Sequence, residues 1–337
     1  MRSALRVGFA GAGAIAEHHL GVLGGQSGVQ VASVCDLDER RAADVAGRTS
    51  ARPFTSWEAM LDAGALDALF VCTPPAHHAA PAIAALERGL PVYLEKPLAR
   101  ALVDGEAIAS AWKRSGTVCA VGYQWRSLDV LDGLRSSLQG SQPGLLVSRS
   151  FGPTEGERRD LEGGAAWFAE PAASGGLLFE MASHDIDLQI ALAGPVESLQ
   201  ATAGSGLLAL AGRASSALDD AVAVLLRFER GGIGAVHVAW STEQRPPLYT
   251  LDVQAADVAL QLALDPVFEL RGQAGGKAIA VTGAVHPRVS SVTRFLDAVR
   301  SGDPAAVACS PADALATLSA LVACERAIAS GERVAVG

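Results

Sequence analysis

Aromatic side chains are scarce in this chain. Phe, Trp and Tyr make up 5% of its 337 residues, and methionine occurs three times. Packing therefore falls to alanine, glycine and aliphatic residues, which suits close contact of helices on a sheet. Charge is sparse as well, at 19% against 50% hydrophobic residues. Such a chain can offset its ordering entropy and form cores, so extended disorder is excluded. It has no Lys- or Arg-rich run, and 27 basic against 36 acidic residues leave a net charge of −9. That balance argues against nucleic acid and anionic membrane as partners. No run reaches the roughly 18 apolar residues of a transmembrane helix. There is no C-x-x-C pair. Cys35, Cys72, Cys119, Cys309 and Cys324 are scattered, and inert core thiols are expected rather than metal or redox roles. A strand begins within about four residues of the start, without a separate hydrophobic leader or small-residue cleavage site. The expectation is a cytoplasmic protein.

What is present is a change of pattern along the chain. A chain of 337 residues is long for one core, so two domains are expected. The first third alternates buried strands (Leu5–Ala10, Val29–Cys35, Leu66–Cys72, Pro91–Leu94, Val118–Val121) with helices, and a short strand falls at Phe54. Alternation of this kind implies right-handed crossovers and a doubly wound parallel sheet. After Gly122 the strands follow one another. Ala221–Phe228 and Ile233–Trp240 flank Gly231-Gly232 as a hairpin, and Leu248–Gln254, Val258–Leu264 and Val267–Arg271 continue it. Helices are expected near Leu128–Leu138, Leu178–Leu192, Val289–Ser301 and Pro311–Ser330. The fold class is α/β: residues 1–122 form the parallel domain, and residues 123–337 form an α+β domain with an open, mainly antiparallel sheet.

The run from Leu5 to Ala16 places a glycine turn between a strand and a helix. Gly11 and Gly13 permit a tight turn and close approach to a pyrophosphate, and small Ala16 lets the helix pack on the strand. The first helical residues, Ala14 and Ile15, present free N–H groups and the positive end of the dipole. Asp36 ends the second strand 20 residues beyond Ala16, where a carboxylate accepts hydrogen bonds from ribose hydroxyls. It repels a 2′-phosphate, which favours NAD over NADP. Arg40 and Arg41 follow it, placed to swing toward such a phosphate or simply to open a solvated helix. Thr73-Pro74 and Glu95-Lys96-Pro97 both stand at strand ends, where ligands collect in a doubly wound sheet.

In the second half, Glu180, His184 and Asp187 fall at i, i+4 and i+7, one face of a helix. An acid, an imidazole and an acid suit proton transfer. Without a further His or Cys cluster, metal binding is not expected. Taken alone, His184 reads equally as a buried hydrogen-bonded histidine. Arg158, Arg159 and Asp160 lie in a loop, placed to receive a substrate phosphate or to be solvated.

Together these residues resemble the Gfo/Idh/MocA oxidoreductases. The resemblance rests on the Gly11–Ala16 turn, Thr73-Pro74 with His78, Glu95-Lys96-Pro97 and Gly122-Tyr123-Gln124-Trp125-Arg126. It continues through Gly175-Gly176, His184 with Asp187, and the closing Ala327–Gly331 stretch. It implies a Rossmann domain and an open sheet used in homodimer or homotetramer assembly. It further implies Lys96 beside the reacting hydroxyl, His184 as acid/base, and Asp187 orienting substrate. Tyr123, Gln124 and Arg126 would line the substrate pocket, and Thr73, Pro74, His78 and Glu95 would sit near the cofactor. Many relatives carry Asp and Gly where this chain has Glu180 and Ala182. The implied activity is NAD(P)-dependent hydride transfer on a sugar, cyclitol or related polyhydroxy compound. The alternatives are a nucleotide-linked sugar or non-sugar diol as substrate, or a non-catalytic, dinucleotide-sensing regulator.

Overall fold

A computed structural model describes residues 4–152, 167, 170–205, 219–240 and 249–337. Their contacts divide into two compact units, Met1–Gln124 with Arg288–Leu315, and Trp125–Pro287 with Ala316–Gly337. The sequence reading of one continuous domain over residues 123–337 is corrected here, because Arg288–Leu315 returns to the first unit. The cause is a buried aromatic cluster. Phe295, on the helix Pro287–Ser301, meets Phe70 and Tyr93 edge-on at ring-centre distances of 5.6 and 5.5 Å. Phe9 stacks on Phe70 at 4.9 Å.

The first unit holds a six-stranded parallel sheet in the order β3-β2-β1-β4-β5-β6, formed by β1 (Leu5–Ala10), β2 (Val29–Cys35), β3 (Arg52–Phe54), β4 (Ala68–Val71), β5 (Val92–Leu94) and β6 (Cys119–Val121). This is the doubly wound order, which reverses direction beside β1. β4 and β5 are buried at every residue, as strands covered by helices on both faces must be. Local chemistry sets the helix starts. Asp38 caps α2 (Glu39–Thr49) by accepting from the Arg40 and Arg41 N–H groups, and Ser56 caps α3 (Trp57–Asp62). α1 (Ala14–Gly24) has no side-chain cap.

The second unit holds nine strands, β7 (Leu145–Gly152), β8 (Val196–Gly204), β9 (Ala221–Phe228), β10 (Ile233–Trp240), β11 (Tyr249–Ala255), β12 (Val258–Asp265), β13 (Glu269–Ala274), β14 (Lys277–Thr282) and β15 (Val334–Ala335). Their order is β14-β13-β12-β11-β7-β10-β9-β8-β15. Every pairing is antiparallel except β7 with β10. Alternate residues of β7, β9 and β12 are buried, so one face meets the core and the other does not. The helix Ser183–Ala193 packs on the core face, where Gln189 donates to the Ser148 hydroxyl and the Ala235 carbonyl.

The sequence reading did not include β8 or β14, and it began β13 at Val267. Val267 is exposed, and the strand starts at Glu269. Among the described residues no helix is long and apolar enough to cross a membrane.

Candidate active site

In the first unit the expected residues gather at the carboxyl ends of β1, β2, β4 and β5. Gly11 sits at φ +99°, and a Cβ there would lie 2.6 Å from the Cys72 carbonyl oxygen, so only glycine lets the turn press on the end of β4. Gly13 is different. A Cβ there would meet nothing within 4 Å, so the fold itself does not require this glycine. The open space at Gly13 and the uncapped N-terminus of α1 fit a pyrophosphate cradled by N–H groups from Ala14 onward.

Asp36 is tied into the same corner. Its Oδ2 accepts the Ala12 N–H at 2.9 Å and its Oδ1 accepts the Asp38 N–H at 2.8 Å. Oδ2 keeps a lone pair for a ribose hydroxyl. Arg41, not Arg40, carries the guanidinium beside Asp36, at 3.2 Å. Arg40 is exposed, and its backbone N–H serves the α2 cap.

Thr73 and Pro74 are half-buried after β4, and the Thr73 hydroxyl donates to the His77 carbonyl. Lys96 is half-buried after β5. Two neighbours expected at the cofactor turn inward instead. His78 is buried, with Nδ1 2.9 Å from the Pro97 carbonyl and Nε2 2.9 Å from the Thr73 carbonyl, so it ties the two strand-end loops together. Burial pushes its pKa below the ordinary value, against the pull of those carbonyls and of Glu95. Glu95 is also buried, and its Oε1 lies 2.7 Å from His19 Nε2. Burial alone would raise its pKa, but the hydrogen bond from His19, with the charges of Lys96 and Arg288, outweighs this and holds it at about 2. Tyr123 is buried and Gln124 half-buried.

In the second unit the expected helix opens with a π-helical turn, Leu178–Ala182, before Ser183–Ala193. Such turns widen the spacing of side chains and recur at functional sites. Glu180 and His184 are half-buried, and the His184 ring lies 5.0 Å from Trp125, which in turn lies 5.6 Å from Tyr249. Asp187 does not share their exposure. It is 1% exposed, its oxygens receive Arg126 Nε and Nη2 at 2.8 and 2.9 Å, and Thr317 donates to it at 2.9 Å. Asp187 and Arg126 thus form a buried bidentate pair. The expectation that both face a substrate is not carried by these hydrogen bonds, which tie Asp187 to Arg126 and Thr317.

Sequence reasoning missed His19, Asp185 and Tyr249. His19 carried one signal, falling with Ala16 and Leu23 on the inward face of α1. Arg158, Arg159 and Asp160 lie outside the described residues. The five cysteines are free and buried, and burial raises the thiol pKa at Cys35 to about 11 and at Cys324 to about 12. Among the described residues no three His, Cys, Asp or Glu side chains group as metal ligands.

Residues 5–123 match the oxidoreductase family with an NAD-binding Rossmann fold, and residues 150–276 match the GFO/IDH/MocA C-terminal domain. The chain belongs to the GFO/IDH/MocA oxidoreductase family. It is 37% identical over 123 residues to 4-carboxy-2-hydroxymuconate-6-semialdehyde dehydrogenase of Sphingobium sp., a match spanning 36% of this chain and 39% of that protein. It is 26% identical to 1,5-anhydro-D-fructose reductase of Ensifer adhaerens, over 77% of this chain and 83% of that one. The WlbA dehydrogenase of Bordetella pertussis, solved with NADH and UDP-GlcNAcA, superposes with a TM-score of 0.80 at 24% identity over 99% of each chain. The family's parallel N-terminal sheet and mostly antiparallel C-terminal sheet are both present here.

Proposed function

We propose that the chain is an NAD-dependent oxidoreductase of secondary alcohols or ketones in sugars, cyclitols or related polyhydroxy compounds. The observation that carries this is the corner where the open space at Gly13, the uncapped α1 and Asp36 meet, with Lys96 at the end of β5 in the same sheet. The Ensifer relative's reductase activity supports the substrate class. Bound NAD supplies the hydride acceptor. Lys96 would hydrogen-bond the reacting oxygen, and His184 would serve as the acid/base for its proton. Reduction runs through the same groups in reverse. Glu180, half-buried four residues before His184, is the carboxylate we assign to orienting its ring. Asp187 acts through Arg126 as a fixed strut rather than on substrate.

Lys96→Ala and His184→Ala are each expected to lower kcat by about 10²–10⁴-fold, the usual contribution of an acid/base group, with the NADH Kd little changed. Near wild-type turnover in both variants would overturn the mechanism. Asp36 favours NAD over NADP, and Asp36→Ser should raise NADPH affinity relative to NADH, with Arg41 released to meet the 2′-phosphate.

Self-association through the second sheet belongs to the same proposal. Leu145, Phe151, Leu225 and Ile233 are 36–57% exposed on adjoining strands, and Ile233 stands opposite Leu145. This face is apolar in part and is interrupted by Arg149, Arg227 and His237, and a face of this kind suits a second copy of the chain. Leu225→Glu with Ile233→Glu should leave a monomer in sedimentation velocity, and an unchanged oligomer would remove this face from the assembly.

A further inference from the structure

We propose that His19 is a positioning residue that holds the Glu95 carboxylate, and through it the backbone of Lys96, for the hydride-transfer reaction proposed above, on which this role rests. His19 stands on α1, the helix that begins at the dinucleotide turn, and Glu95 stands at the end of β5, 76 residues away in sequence. The imidazole is fully buried between Phe70 and Tyr93, at ring-centre distances of 5.7 and 5.1 Å. A histidine in such a place commonly only fills space. Here its Nε2 lies 2.7 Å from Glu95 Oε1, while Nδ1 has no hydrogen-bond partner among the described residues. A buried N–H without an acceptor is rarer than an unmet lone pair, so the ring proton is assigned to Nε2, which donates to the carboxylate.

The second carboxylate oxygen completes the link. Glu95 Oε2 accepts the Lys96 backbone N–H at 3.0 Å. Gly122 leaves the carboxylate its space, since a Cβ there would stand 3.2 Å from its carbon and both oxygens. Glu95 therefore cannot turn away without losing His19, Lys96 or both. The charge it carries is kept in place by its surroundings. It faces His19 from α1, Tyr93 from its own strand, Cys72 and His78 from the end of β4 and the turn after it, and the cations Lys96 and Arg288. The helix that opens at the cofactor turn and the lysine at the reacting centre thus share one buried carboxylate.

The test compares His19→Leu, which keeps an apolar volume, with His19→Gln, whose side-chain amide nitrogen reaches about as far as Nε2. Three readouts are taken on the full chain: hydrogen exchange of the Lys96 amide and carbon-13 titration of the Glu95 carboxyl with NADH bound, and kcat against pH with NAD and a responding polyol. In His19→Leu the Lys96 amide should exchange faster. Glu95 should titrate in the mildly acidic range, and kcat should fall about 10- to 100-fold with a new acid limb, as displacement of a catalytic group does. The NADH Kd should stay within about twofold, because the cofactor turn is untouched. His19→Gln should recover all three. Equal behaviour of the two variants, or a Leu variant with unchanged exchange and titration, would overturn the role and leave His19 a packing residue. Absence of turnover in the wild type would contradict the proposed function, while exchange and titration would still decide whether His19 holds Glu95.

Discussion

Asp185 stands where the helix Ser183–Ala193 meets the second sheet, 1% exposed, with Ser150 donating to Oδ2 at 2.8 Å and no partner at Oδ1 among the described residues. Burial pushes its pKa up to about 7, against the pull of Ser150 and Ser148. The unfolded chain releases this proton near the ordinary value of 3.8. Between those values the folded state binds a proton that the unfolded state lacks, so this group makes stability fall as pH rises through the window. Asp185→Asn should flatten that slope and gain more in Tm at pH 8 than at pH 5. An equal shift at both values would contradict the assignment. The Arg126–Asp187 pair gives a second expectation. Arg126→Ala leaves a buried carboxylate unpaired and should cost about 3–5 kcal/mol in denaturant unfolding, and a loss below about 1 kcal/mol would show the pair to be surface-like. The places of Gly11 and Asp36 at the strand ends were legible because they follow from local spacing. His19, Asp185 and the inward turn of Glu95 and His78 were not, because each depends on a partner far along the chain.

Elements were legible where their physics is local. β4 reads as one apolar run because both its faces are covered, and the β9–β10 hairpin reads from Gly231 and Gly232, whose φ values of +88° and +85° suit glycine. β14 was missed although Ala278-Ile279-Ala280-Val281 is an apolar run, and none of its six residues is buried. The π-helical turn at Leu178–Ala182 changes hydrogen bonding without changing the kind of residue, and it left no trace in the spacing. At this scale the turn after β1 offers the sharpest test. Gly11→Ala places a Cβ against the Cys72 carbonyl at a positive φ, and should cost about 1–3 kcal/mol and most of the NADH affinity. Gly13→Ala meets no protein atom, so it should keep wild-type Tm while weakening NADH. Unchanged NADH binding in Gly13→Ala would remove the pyrophosphate from this turn.

For the whole molecule, the two-part division was legible in the switch from alternating to consecutive strands, but the return of Arg288–Leu315 was not. A helix near the end of a chain carries no mark of which core it joins, and here Phe295 decides it. A fragment of residues 1–124 should therefore show a low, broad thermal transition, and adding residues 288–315 in trans should sharpen it. A cooperative transition in the fragment alone would show that the returning helix is dispensable. The central claim, NAD-linked hydride transfer on polyhydroxy compounds, is tested most directly by the absorbance of reduced nicotinamide. Purified protein is mixed with NAD and a panel of sugars, cyclitols and their phosphorylated and nucleotide-linked forms, beside Lys96→Ala. The account expects substrate-dependent reduction by the wild type that is nearly lost in the variant. Tight NADH binding with no reduction by any member of the panel would contradict it and favour a dinucleotide-sensing regulator.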